Sequence, residues 1–550
     1  MMAGQPIIIL KEGTERESGK SARQSNIAAA IAIADAVRST LGPRGMDKML
    51  VDSLGEVVVT NDGAKILKEL EVEHPAAKMM VEVAKTQDNE VGDGTTTAVI
   101  LAGELLKRAG ELADKNVHPT VITAGYKLAE EKAFELLDKV AIDITADQTG
   151  LLKNVAETAI SGKNVGGGNE YLAELSVKSV KMVAEKVGDG YSVDTDDIKI
   201  EKKHGASVSE SEIVSGLVID KERVHPRMPA RVEDARIALI TSALEIKKTE
   251  VSSSIQIKDP SLIQKFLDQE DETLREMADS IVAAGANVVI CEKGISDTVQ
   301  HYLAKAGIYA VQRAKKSDME KLSRATGGKL VANIRDLGKS DLGKAKEVEQ
   351  RKISNEEMTF ITGCRNPKSV TVLLRGGTEH VVDELEAAFT DAMRVVAVAI
   401  EDGKVVAGGG SVETYISMRL RDYSSGVGGR EQLAVEAFAT ALEYIPRTLA
   451  ENSGLDPVDL LIELKSRHAR AKGACYDGIA VEEGKIKDML KAKVLEPIRV
   501  KRQAIASASE VANMILRIDD VIASKKGAGG SPGGMPPGGM PPGGMPPGMM

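Results

Sequence analysis

The chain has no tryptophan, and aromatic residues make up only 3% of its 550 positions. Its core must therefore be aliphatic, built of Ala, Val, Ile and Leu on helices. Cysteine is as sparse. Cys291, Cys364 and Cys475 stand far apart, with no C-x-x-C pair and no histidine at ligand spacing, which argues against a disulfide framework and a zinc site and fits a reducing cytosol. The seven histidines are isolated and read as surface or core polar residues. No stretch approaches the ~20 apolar residues that a bilayer requires. Among the first twenty residues the only apolar run is Ile7-Ile8-Ile9-Leu10, too short for a signal segment. The expectation is a cytoplasmic protein that engages no membrane. Basic blocks are missing too: 72 lysines and arginines against 82 acids leave a net charge of −10, with no cluster dense enough to track a phosphate backbone. Nucleic acid is not an expected partner.

Neither G-x-x-x-x-G-K-[ST] nor G-x-G-x-x-G occurs, so P-loop and Rossmann readings fail at the first step. What the chain does have is length, enough for three or four domains, or fewer if one is split by insertions. From Ser25 to Leu41, apolar residues recur at Ile27, Ile31, Ala34, Val37 and Leu41, one helical face that Gly42-Pro43 stops. Met49–Val51 and Glu56–Thr60 read as a hairpin turning at residues 53–55, and Asn61-Asp62-Gly63 leads into a helix over Ala64–Leu70. A strong amphipathic pattern at Val99, Ala102, Leu105, Leu106, Ala109 and Leu112 follows Gly92-Asp93-Gly94. From about Arg236, short aliphatic strands (237–240, 287–290, 308–311) alternate with helical patterns (272–283, 297–306), an α/β module inserted in the chain. The polar 245–280 segment reads either as a surface loop and helix or as a protruding arm. Val370–Leu374 is a further strand and Glu379–Ile400 a long helix; after Gly408-Gly409-Gly410 the chain is again Ala-rich and helical. From Lys525 it becomes Gly-Gly-Met-Pro-Pro repeats, which cannot pack a core and read as a disordered tail.

Three short stretches look like a phosphate and metal cradle: Leu41-Gly42-Pro43, Asn61-Asp62-Gly63 and Gly92-Asp93-Gly94-Thr95-Thr96-Thr97. Glycines let backbone N–H groups approach anionic oxygens, hydroxyls add donors, and an aspartate can hold a magnesium ion. The threonines fall at a helix N-terminus, where free N–H groups favour anions. A lone Gly-Asp-Gly is more often a turn than a site; three such clusters in one chain, one opening onto Thr-Thr-Thr at a helix start, bring the turn and nucleotide-site readings level.

At this point the residues carry a family resemblance. Leu41 to Leu50, Val59-Thr60-Asn61-Asp62-Gly63, Val91 to Thr97, Arg375-Gly376-Gly377, Ala407 to Gly410, Pro446-Arg447-Thr448-Leu449 and Glu496-Pro497 resemble a group II chaperonin, in unbroken order from about residue 6 to residue 524. The resemblance implies a multidomain chain: a mainly α-helical equatorial ATPase domain from both chain ends (1–148 and 403–524), a small α/β intermediate domain (149–216 and 369–402), and an α/β apical domain (217–368) with a helical protrusion near 245–280, ahead of the 525–550 tail. It implies ATP and Mg²⁺ as ligands, and two stacked rings of about eight subunits that enclose non-native polypeptide clients under a built-in lid, with prefoldin as a further partner. By the same resemblance Leu41, Gly42 and Pro43 contact phosphate, Asp93, between Gly92 and Gly94, holds the magnesium, and Thr95, Thr96 and Thr97 donate to phosphate. Gly409 and Gly410 line the nucleoside, Asp477 joins the nucleotide set, and Glu496 reaches the ribose. Asp62 and Asp391 position and activate water, and Lys163 senses the γ-phosphate. Asp391 lies on the hinge helix, so it reaches the site only when that hinge swings down. Departures from the family pattern are Arg44, Lys65 and the loop 473–478.

Two rival readings stay open on the residues alone. A small-molecule kinase would also use the cradle, as a monomer or small oligomer; a ring-forming scaffold without turnover would not need both Asp62 and Asp391.

Overall fold

Alanine-rich amphipathic segments from both ends of the chain fold against each other. The computed structural model describes residues 14–524 apart from 52, 54, 164–167, 189, 247–259, 355, 365–368, 472 and 474. The expected tail and residues 247–259 of the expected arm lie outside the described residues.

The N-terminal part holds α1 (Gly19–Arg38), α2 (Gly63–Glu69), α3 (Pro75–Val91), α4 (Thr95–Asp114) and α5 (Pro119–Val140). Helix α1 starts six residues before the apolar periodicity does and ends at Arg38, where Thr40 Oγ1 donates to the Val37 carbonyl. Two of the histidines have a local task that isolation in sequence concealed. His74-Pro75 and His118-Pro119 open α3 and α5, each ring accepting a backbone N–H of the first turn while the proline supplies helical φ.

The chain then leaves this body. Helices α6 (Thr149–Ile160) and α7 (Asn169–Val183) cover a three-stranded sheet in which Val370–Gly376 lies between Ile198–His204 and Glu212–Val214. Beyond it comes a seven-stranded mixed sheet. Its path runs Tyr309–Val311, Val288–Cys291, Arg231–Ile240, Gly343–Ile353, Glu356–Cys364, Gly216–Ile219, with Leu330–Val331 pairing with Arg231–Ile240. Two parallel pairings, of Arg231–Ile240 with Val288–Cys291 and of Val288–Cys291 with Tyr309–Val311, are joined by α8 (Pro260–Ala284) and α9 (Asp297–Lys305) as crossovers, and Val288–Cys291 and Tyr309–Val311 are unbroken apolar runs because both faces are covered. Helices α8 and α9 pack on one face and α10 (Lys316–Thr326) on the other.

Helix α11 (Glu379–Asp402) leads back, burying Val382, Leu385, Phe389, Met393 and Val396 along one stripe against α6 and α7. Helices α12 (Ser411–Ser424), α13 (Glu431–Leu442), α14 (Tyr444–Asn452), α15 (Pro457–Arg470) and α16 (Ile498–Leu516) rejoin the first body. Its core runs from Ile27 to Leu516, with Tyr126 edge-on to Phe438 as its aromatic centre. The chain ends meet in an antiparallel pair, Thr14–Ser18 with Asp520–Ser524. Among the described residues no helix is long and apolar enough to cross a membrane.

Candidate active site

A cleft of about 460 Å³ opens where the helical body meets α6 and α11. It is within the size range of small-ligand sites. Several segments far apart in the chain supply its polar wall, and local chemistry explains how each is held.

The turn Leu41-Gly42-Pro43 follows the end of α1. Gly42 has φ +87°, and Asn452 at the end of α14 donates to the carbonyls of Arg38 (3.0 Å) and Leu41 (2.9 Å), pinning the turn from the far end of the chain. Arg44, a departure in the sequence, reaches the Glu482 carbonyl on the opposite rim.

Asp62 is the N-cap of α2: its carboxylate accepts the N–H groups of Ala64 (3.1 Å) and Lys65 (3.3 Å). The turn reading of Asn-Asp-Gly is thus correct, and the same turn lines the cleft. A Cβ at Gly63 would lie 2.6 Å from Thr96 Oγ1 and 3.2 Å from the Thr96 nitrogen, so only glycine lets this turn rest on the start of α4. Asn61 Nδ2 donates to the Gly162 carbonyl, joining the turn to the segment that carries Lys163.

Gly92 caps α3 in the left-handed conformation and Gly94, also left-handed, begins α4. Between them Asp93 Oδ1 accepts the Gly94 N–H at 2.6 Å. Burial pushes the Asp93 carboxyl up against the pull of Gly94, Lys163 and Lys501. Thr95, Thr96 and Thr97 form the first turn of α4 facing the cleft, where helix geometry leaves backbone N–H groups without intrahelical acceptors.

Lys163 Nζ is ion-paired with Asp391 Oδ2. Burial opposes the lysine's charge, yet Asp391, Asp62 and Asp93 together raise its pKa. Burial in turn pushes Asp391 up to about 7, against the pull of Lys163. Asp391, on α11, lines the cleft in this structure. On the far side, Gly409 and Gly410 take left-handed φ values of +63° and +74°. Glu496 pairs with Lys501 Nζ (2.7 Å), which also reaches the buried Glu413 (2.8 Å).

The cleft thus brings together Leu41, Gly42, Pro43, Asp62, Gly92 to Thr97, Lys163, Asp391, Gly409, Gly410 and Glu496. Asp477 does not line it. Asp477 is paired in register with Asp488, and its carbonyl accepts from His468 Nε2 at 2.8 Å. The next residues along that strand, Ile479 and Ala480, face the cleft in its place, Ile479 fixed by its N–H to the Gly409 carbonyl at 2.9 Å. Sequence reading missed the apolar wall of Ile445, Leu449, Ile479 and Val481, and also Lys501. Leu449 stood inside a motif already singled out; the others carry no local pattern, since an apolar residue facing a ligand reads like one facing a core.

Compared with known proteins, residues 33–526 match the TCP-1/cpn60 chaperonin family. Thermosome subunit beta of Archaeoglobus fulgidus is 60% identical over 540 residues, 97% of this chain and 98% of that protein. Thermosome subunit alpha of Thermoplasma acidophilum is 59% identical over 543 residues, 98% of this chain and 99% of that one. Among solved structures, an open-state monomer of a group II chaperonin from Methanococcoides burtonii aligns with a TM-score of 0.62 at 48% identity, covering 78% of this chain and all of that one.

Proposed function

The chain belongs to the TCP-1/cpn60 chaperonin family, and from that premise we propose that the cleft binds and hydrolyses Mg-ATP to drive closure of a built-in lid. The protein is an ATP-dependent chaperone, a subunit of a double ring that binds and encloses non-native proteins. Each ring has about eight subunits in this reading, the site of action is the cytoplasm, and prefoldin is a partner that the family resemblance suggests. The helical body is the equatorial domain (1–148 and 403–524), the three-stranded sheet with α6, α7 and α11 the intermediate domain (149–216 and 369–402), and the seven-stranded sheet the apical domain (217–368). The separate cores of these three bodies support that division.

One observation carries the reading of the site. Three half-buried carboxylates, Asp62, Asp93 and Asp391, gather around Lys163 in the cleft, beside a helix N-terminus. Negative charge held this densely calls for a cation, and Asp93 suits one: among the described residues, its half-buried carboxylate accepts only the Gly94 N–H. A magnesium ion held there would neutralise phosphate charge. The Thr95–Thr97 turn and Leu41-Gly42-Pro43 bind and orient phosphate, the apolar wall at Ile479 and Val481 shields the base from water, and Glu496, fixed by Lys501, meets the ribose. Asp391, with Asp62, accepts the proton of the attacking water, and Lys163 is the cation that exchanges Asp391 for phosphate.

The test is phosphate release by assembled rings. Asp391→Ala should keep nucleotide binding and lose about 10²–10⁴-fold in turnover, the range for removal of a general base; Asp93→Ala should weaken Mg-ATP binding itself. If both variants hydrolyse at the unmodified rate, the site is misassigned.

A further inference from the structure

Helix α11 makes a second polar contact with the nucleotide-binding body, one turn beyond Asp391. Arg394 Nη1 lies 3.2 Å from the Asp88 carbonyl and 3.3 Å from Asp88 Oδ1, in the last turn of α3. The same carbonyl accepts the Gly92 N–H at 2.9 Å, the bond that closes α3 and starts the Asp93 loop. Gly92 is also where the arginine stem rests. A Cβ there would lie 2.6 Å from Arg394 Cβ and 2.7 Å from its Cδ, so the absent side chain is what lets α11 come this close. One turn further on, Val398 packs with Val91 of α3 and Val500 of α16. The buried Gln87, one residue before Asp88, completes the joint: its Nε2 donates to the Asp93 carbonyl (2.8 Å) and to the Val500 carbonyl (3.2 Å).

From this geometry we infer that Arg394 is a positioning residue that couples the docking of α11 to the shape of the Asp93 loop, acting through the last turn of α3. The inference rests on the proposed roles of Asp391 and Asp93. Residues three apart on a helix share a face, so when α11 docks, Asp391 enters the cleft as Arg394 grips the carbonyl that anchors Gly92. When α11 lifts, both contacts go together. A single hinge motion then delivers the base and locks the loop beside it, and neither is set while the other is absent. Arg394 touches no nucleotide and does no chemistry. Its guanidinium is the tie, and its three-residue offset from Asp391 sets the timing.

The experiment compares full-length assembled rings carrying Arg394→Gln, Arg394→Lys, Asp88→Asn, Asp391→Ala and the double variant Arg394→Gln with Asp391→Ala. Turnover and KM for Mg-ATP are measured by phosphate release. For Arg394→Gln the expected result is a kcat loss of about 10–100-fold, the cost of misplacing a reacting group by about an ångström, with KM changed less than about threefold, as for a contact made only in the closed state. Arg394→Lys should recover part of the loss, since an ammonium can still reach the Asp88 carbonyl. Asp88→Asn, which keeps that carbonyl, should lose less than Arg394→Gln. In the double variant the two losses should not multiply, because Arg394 has nothing to deliver once Asp391 is gone. Unmodified kcat in Arg394→Gln, or multiplied losses in the double variant, would overturn the inference while Asp391→Ala stays inactive. If Asp391→Ala itself turns over normally, it is the proposed function that fails. Should Arg394→Gln not form rings, the Lys and Asn variants decide: both at the unmodified rate means that Arg394 only holds the fold.

Discussion

Asp391 faces Lys163 half-buried in the cleft, and that burial pushes its carboxyl up to about 7. A general base works only when ionised, and kcat/KM reads ionisations of the free enzyme. The sign follows: with the pKa raised, kcat/KM for ATP should fall on the acid side of about pH 7 and level off above it, instead of holding flat down to the ordinary carboxylate range. Initial phosphate-release rates across neutral pH, at ATP well below KM, check this; a profile flat through 7 would remove Asp391 as the base. At this scale the sequence was informative wherever residue type and neighbours carry the chemistry, as in Asp93 between glycines and the threonines at a helix start. Where a side chain acts through distant partners it was silent. Nothing near Asn452 marks it as the clamp on a turn more than four hundred residues away, and Asp477 lost its expected place because strand pairing turns Ile479 to the cleft.

Between elements, the junction of the three-stranded sheet with the seven-stranded module is held by a buried ion cluster. Lys199 Nζ on the strand Ile198–His204 contacts Asp318 of α10 at 2.7 Å and Glu201 at 2.8 Å, and donates to the Val218 carbonyl at 2.7 Å. Both Lys199 and Asp318 are buried. Breaking a buried pair by removing one partner leaves the other charge stranded and costs about 3–5 kcal/mol, so Asp318→Ala should loosen this junction. Hydrogen exchange should show the change in α10 and in Ile198–His204, with the helices α3 to α5 unchanged. Sequence periodicity located α10's neighbours but not this joint, because its charges come from segments more than a hundred residues apart. Helix α8 carries the other element-scale expectation. Its residues from Asp271 onward are tied in, Asp271 to Tyr302 and Leu274 into the core, whereas Gln264 and residues 267–270 are exposed. Replacing 247–270 with a short Gly/Ser linker should keep rings and ATP turnover but leave an enclosed client open to added protease; full protection would show that this segment is no lid.

For the whole molecule, the pairing of Thr14–Ser18 with Asp520–Ser524 closes the chain on itself, and the core ends at Leu516. Deleting residues 527–550 should therefore leave both assembly and turnover unchanged, read by size-exclusion chromatography near the megadalton range and by phosphate release. Loss of rings would give the tail a structural part. The inserted α/β module was legible beforehand, because short aliphatic strands begin to alternate with helical patterns near Arg236 and the chain is Ala-rich and helical again after Gly410; that both chain ends build one helical body was what the family resemblance implied. How the bodies are arranged around one cleft was not, since that depends on pairings between distant segments.

That split body also dictates the order in which a new chain can mature on the ribosome. The seven-stranded sheet uses only residues between Gly216 and Cys364 and is complete in sequence well before synthesis ends. Helices α1 to α5 emerge first, yet their partners α12, α13 and α16 come last. At about 5–20 residues per second, the early helices, which can cover one another only in part, must wait on the order of tens of seconds with the apolar surface that α12, α13 and α16 will bury still uncovered. A nascent subunit of this folding machine is thus, for that interval, the kind of exposed polypeptide that the finished ring encloses.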